Sequence, residues 1–142
     1  MPLNEHIKIA RDSKAIRILE VRIGNNTNEE TPWKPIIDKT KNSLDFWNKS
    51  HPTLKGRKLI VQMIIRGFTQ FLTKAQGMLM RIEDALTKIT CNFIWQESTH
   101  PRIAIKTLYH PIKEEGLNLL DINTRNKAIE TTWLKTYLDL PL

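Results

Sequence analysis

The longest apolar-periodic run in the chain is TLKGRKLIVQMIIRGFTQFLTKA, residues 53–75. Leu54, Val61, Ile64, Ile65, Phe68, Phe71 and Leu72 recur at spacings that place them on one side of an α-helix. Thr53 is suited to cap that helix, Gly56 weakens its first turn, and Gly77 is suited to stop it. Upstream, Trp33, Ile37, Thr40, Leu44 and Trp47 follow at alternating four- and three-residue steps, a second helical stripe. Thr31 reads as its N-cap with Pro32 at the first helical position. Pro35 is tolerated because it falls in the first turn, and the helix should end near Ser50, before His51-Pro52. A third helix is predicted over roughly Leu79 to Trp95, with Ile82, Leu86, Ile89 and Phe93 on one face. Three helices joined by short breaks pack antiparallel into a bundle.

The flanks follow other patterns. Residues 5–10 and 15–23 alternate apolar and polar side chains around a polar turn, Arg11-Asp12-Ser13-Lys14, which predicts a β-hairpin. Two strands alone are marginal in water, so this hairpin needs a sheet or helix that residues 1–23 do not supply. Residues 24–30 form a polar loop. Beyond residue 100, Ile103, Ile105 and Leu108-Tyr109 fit either a strand or one short helix. Glu114-Glu115-Gly116 is a turn, and Asp121 or Asn123 caps a last helix through Ala128, Ile129, Trp133, Leu134, Tyr137 and Leu138, stopped by Pro141. The predicted fold is mainly α: a three-helix bundle with an N-terminal β-hairpin and a C-terminal helix.

At 142 residues the chain is one domain, or a domain with a small appendage. Its apolar runs are far too short to cross a bilayer, and MPLNEHIKIA has no apolar segment of secretory length, so no membrane role or secretion is expected. The single Cys91 excludes an internal disulfide framework, which fits the cytosol or nucleus. Charge changes the picture more. The net charge is +7, to which residues 1–53, 54–90 and 91–142 contribute +2, +5 and 0. The excess therefore lies on and just after the central helix. There Lys58, Gln62, Arg66, Gln70 and Lys74 advance by four residues at each step, a row that climbs about 24 Å. Such a row follows a phosphate backbone without reading sequence, or is simply a solvated edge.

Enzyme chemistry is hard to find. The nucleotide-binding, hydrolase and zinc-protease signatures are absent. His6, His51, His100 and His110 are isolated, with the last three each preceding a proline, so zinc ligation is disfavoured and no metal or cofactor is expected. Glu83 and Asp84 point about 100° apart on a helix, which suits helix N-terminal charge rather than a paired-carboxylate site. Cys91, between Ile89 and Phe93, reads as a small buried hydrophobe. Trp33, Trp47, Trp95 and Trp133 all fall on or beside apolar stripes, and core packing is the default for each.

Leu54-Lys55-Gly56-Arg57 before an apolar helix resembles the S/T-L-K-G-R element downstream of the palm in reverse transcriptases of non-LTR (LINE-type) retrotransposons. The accompanying marks keep the family's order: Ile18-Leu19, Trp33, Leu44 and Trp47, then Phe93-Ile94-Trp95, Leu108 and Pro111, Glu115-Gly116-Leu117, Asn126 and Ala128. Two positions depart from it, with Glu20 after Leu19 and Glu115 before Gly116 where the family commonly has glycine. The family's catalytic aspartates lie upstream, at a Tyr-x-Asp-Asp turn. No Asp-Asp dipeptide occurs here, and a two-metal polymerase needs those carboxylates.

The resemblance implies a fragment that is not an enzyme by itself. Residues 1–30 would be the last hairpin of the palm, 31–96 a helical thumb that holds template–primer duplex, and 97–142 the start of a connector with its terminal helix. The implied partner is nucleic acid, RNA or an RNA–DNA duplex, with no small-molecule ligand. Lys55, Arg57, Lys58, Arg66 and Lys74 are the candidate phosphate contacts, Lys55 and Arg57 being carried by the family motif. The rival readings are a small helical protein-interaction domain and a decayed fragment without selected function.

Overall fold

The computed structural model describes residues 32–96 and 103–139, together with the backbone of Ile16–Ile18 and Val21–Ile23. The expected hairpin lies outside the described residues except for those two segments. These correct the expected strand over 15–23, which is two short strands, β1 and β2, paired with each other antiparallel with Ile16 opposite Ile23. Thr31, expected as a cap, also lies outside the described residues.

The described chain is mainly helical, with α1 at Trp33–Asn48, α2 at Leu54–Gln76, α3 at Met80–Ile94, α4 at Ile105–Tyr109 and α5 at Ile122–Leu138. Local chemistry sets the limits of α2. The Thr53 hydroxyl accepts from the Gly56 amide at 3.2 Å. At the other end Gly77, at φ 76°, occupies backbone space that a side chain would strain, and its amide closes the helix on the Thr73 carbonyl. Between α1 and α2 the chain turns at His51, whose φ of 48° is in the left-handed region, directly before Pro52.

Helices α1, α2 and α3 all touch one another. Their directions follow from two contacts. Arg57, at the start of α2, bonds the carbonyl of Phe93, at the end of α3, so these helices run antiparallel. Leu44 and Asn48 of α1 share a cleft with Ile89 and Phe93 of α3, so both of those helices end on the same side. The core is one cluster built on Trp33, Leu44, Val61, Ile65, Leu72, Leu86 and Phe93, and it extends into the C-terminal segment through Leu108, Leu119 and Ile122.

The stretch around Leu108, open to either reading from its pattern, is the single-turn helix α4. A 3-10 turn at Ile112–Glu114 follows, and Glu115 at φ 62° reverses the chain. The Leu108 carbonyl then accepts from the amides of both Leu117 and Leu119, while Asn118 donates to the His110 carbonyl. This return is tight enough that a Cβ on Gly116 would lie 2.0 Å from the His110 oxygen. The loop delivers Leu119 and Ile122 into the core and starts α5 at Asp121, whose carboxylate accepts from the Thr124 hydroxyl at 2.7 Å. The first half of α5 packs against α2 and α3; residues 130–139 are all exposed, though Trp133 among them still bonds the end of α2.

Candidate nucleic-acid interface

The basic edge of α2 divides into exposed and buried parts. Lys55, Arg66 and Lys74 are exposed and Lys58 is half-buried. Arg57 is a correction to the sequence reading, because only 1% of it is exposed. Its Nε donates to the Pro52 carbonyl at 3.2 Å and one terminal nitrogen donates to the Phe93 carbonyl at 2.9 Å. The guanidinium carbon sits 4.9 Å from the centre of the Phe93 ring. The other terminal nitrogen is buried without a partner among the described residues, and desolvation holds the group below its usual pKa. The partial negative charge at the end of α3 stands in for a carboxylate counter-ion. Arg57 thus joins two helices and is not available to a phosphate. The signal was present in the sequence: Arg57 precedes Val61 by four residues and Ile64 by seven, inside the apolar stripe.

One uncharged member of the row, Gln62, is engaged by the C-terminal segment. Gln62 donates to the Asn118 carbonyl at 2.9 Å. Further along, Arg125 of α5 reaches α2, donating to the Thr69 hydroxyl at 2.8 Å and to that of Thr73 at 3.4 Å. Burial and the neighbouring Arg66 charge lower the Arg125 pKa, and Glu83 opposes them. Arg66 and Arg125 therefore place two guanidinium groups on one seam.

Glu83 stands in the first turn of α3, as expected for helix N-terminal charge. It has a second task that no local pattern announces, since its carboxylate accepts from the side-chain amides of Asn123 and Asn126. Asn126 is buried, donates also toward the Met78 sulfur, and accepts from Arg125 at 2.9 Å. Directional bonds thus fasten α5 together with the burial of Ile122. Replacing Asn126 with Ala should destabilise that docking by about 2 kcal/mol, because the partners are left partly unsatisfied. Amide exchange would show it as faster exchange through α5 with little change in α1; uniform loss of protection would contradict this.

Two tryptophans also correct the sequence reading. Trp33 is buried and Trp95 packs against the core, but Trp47 is 38% exposed and Trp133 59% exposed. Trp47 meets Phe46 edge-on, with centroids 6.0 Å apart. On α2, Phe71 and Leu54 were expected on the apolar face, yet Phe71 is 55% exposed and Leu54 lies at the margin. Phe71 continues an outward row with Leu59 and Met63, at multiples of four residues, beside the cations.

Two further titratable groups are shifted by burial. Burial pushes the Cys91 thiol up, so it stays protonated at neutral pH. Tyr109 is pushed up to about 12 by burial, with Asp121 and Cys91 adding to it. Among the described residues no group of three His, Cys, Asp or Glu side chains could hold a metal, and no helix is long and apolar enough to cross a membrane. Compared with known families, characterised proteins and solved structures, the chain matches none.

Proposed function

We propose that this chain is the thumb and the start of the connector of a LINE-type reverse transcriptase, non-catalytic alone, and that it binds template–primer duplex without reading its sequence. In that reading residues 31–96 are the thumb, 97–142 begin the connector, and 1–30 are the end of a palm. The observation that carries it is the cationic edge of α2, with Lys55, Arg66 and Lys74 exposed and Lys58 half-buried, on the helix in contact with α1, α3 and α5. Of the two acids in residues 54–90, Glu83 is occupied by Asn123 and Asn126, which leaves Asp84 as the exposed one. The phosphate-contact set is Lys55, Lys58, Arg66 and Lys74, without Arg57.

Four phosphate contacts give a log–log salt slope of roughly −3 to −4, so affinity for an RNA–DNA duplex should fall about 100-fold between 50 and 200 mM salt. Fluorescence anisotropy measures this. Lys55→Gln and Lys74→Gln should each flatten the slope by about 1 while leaving thermal stability unchanged. A flat slope, or no binding at the lower salt, sinks the reading.

The outward row of Leu59, Met63 and Phe71 favours a second reading, a helical domain whose partner is a protein. Sedimentation separates the two. A salt-insensitive complex lost on Met63→Glu or Phe71→Glu would point to the protein partner.

A further inference from the structure

Trp133 is held by its edge and left open over its body. The indole Nε1 donates to the Lys74 carbonyl at 3.0 Å, which satisfies its one polar atom at the C-terminal end of α2. The ring cannot swing freely about that anchor, yet most of it faces solvent. Tyr137, one turn further along α5, is 72% exposed and on the same side of the helix. Beneath Trp133 a cleft runs between the end of α2 and α5, bounded by Thr73, Lys74, Gly77, Met78, Ile129 and Glu130. Arg125 bonds Thr69 and Thr73 of α2, Arg66 lies one turn before Thr69, and Lys74 borders the cleft; the acids here are Glu130 on the cleft and Glu83, which opposes Arg125 from α3.

We propose that Trp133 and Tyr137 form a stacking platform for unpaired bases of a single-stranded nucleic acid, whose phosphates lie along Arg66 and Lys74. This rests on the nucleic-acid reading of α2, since Lys74 serves both, and it names the form of partner that α5 would take. Every base offers a π-face, so two aromatic rings one turn apart accept any sequence, and adjacent cations hold the backbone. A fixed indole suits the task because its orientation is set before a base arrives. The positive seam favours a polyanion over a second copy of this chain, which would bring the same cations against themselves. Leu134 and Leu138, exposed beside the two rings, are the contacts a second copy would use.

The test uses the full chain with three labelled probes at low salt: (dT)12, U12 and a blunt 12-base-pair RNA–DNA duplex. Trp133→Ala should weaken both single strands about tenfold or more and leave the blunt duplex unchanged. Trp133→Phe keeps a ring but loses the Lys74 bond, so it should retain most of the affinity, which separates stacking from a mere loss of α5 docking. Duplex binding with no single-strand binding, or single-strand affinity indifferent to Trp133→Ala, overturns the platform and leaves the duplex reading standing. Absence of binding to all three probes removes both. A dimer in sedimentation that Trp133→Ala dissolves, without effect on the oligonucleotides, would assign the face to a second copy and overturn the proposal.

Discussion

Arg57→Ala should destabilise the bundle by about 3 kcal/mol or more, read as a fall in melting temperature of roughly 10 °C or more by circular dichroism. Three losses combine. The Pro52 carbonyl loses the bond from Nε, the end of α3 loses a cation against its exposed carbonyls, and the Phe93 ring loses the guanidinium that covers it. The cavity left behind adds to these, since the site is enclosed. Lys55→Ala, two residues away and exposed, should change stability by less than about 0.5 kcal/mol. The pair thus divides: Lys55 tests binding and Arg57 tests folding. Arg57→Lys should not rescue, because an ammonium has no planar fork to reach both carbonyls. A near-wild-type melting temperature for Arg57→Ala would show that the clamp is dispensable.

Gly116→Ala is the second large effect. The added methyl would lie 2.0 Å from the His110 oxygen, and the nearest atoms are all backbone, so no side chain can move aside. Relief requires opening the return between Leu108 and Leu119, which breaks the bond from Asn118 to His110 and shifts those to Leu108. Overpacking together with one or two lost bonds costs about 3 kcal/mol. The damage should be regional. Leu119 and Ile122 are seated by this loop, so α5 should lose its exchange protection while α1 to α3 retain a cooperative melt. Unchanged protection of α5 would contradict the account.

Much of the bundle was legible in the sequence because helix signals are local. The apolar steps of α1 to α3, the Thr53 cap and the Gly77 stop each depend on residues within a turn or two. What escaped depends on partners distant in the chain. Arg57 falls inside the apolar stripe, but the group that holds its charge there, the end of α3, arrives only 36 residues later. Glu83 and Asn126, 43 residues apart, carry no periodic mark at all. Trp133 has the spacing of a core residue, but at its level α5 meets only the end of α2, so its edge is bonded there and its body stays exposed. Periodicity reports which side of a helix is apolar. It cannot report how far along that side a neighbouring helix extends.

Four buried threonines share a habit: Thr40, Thr69, Thr73 and Thr90 each donate to the carbonyl four residues back in their own helix. At Thr40 and Thr90 the hydroxyl is thereby consumed within its helix and says nothing to a neighbour. Those two sites carry shape alone, so exchange between threonine and the like-shaped valine there would be felt little, while alanine would leave a cavity. At Thr69 and Thr73 the same oxygen also receives Arg125. Drift there would be heard in another helix, so mutational freedom in this core is graded by who is listening, with burial a poor guide to it.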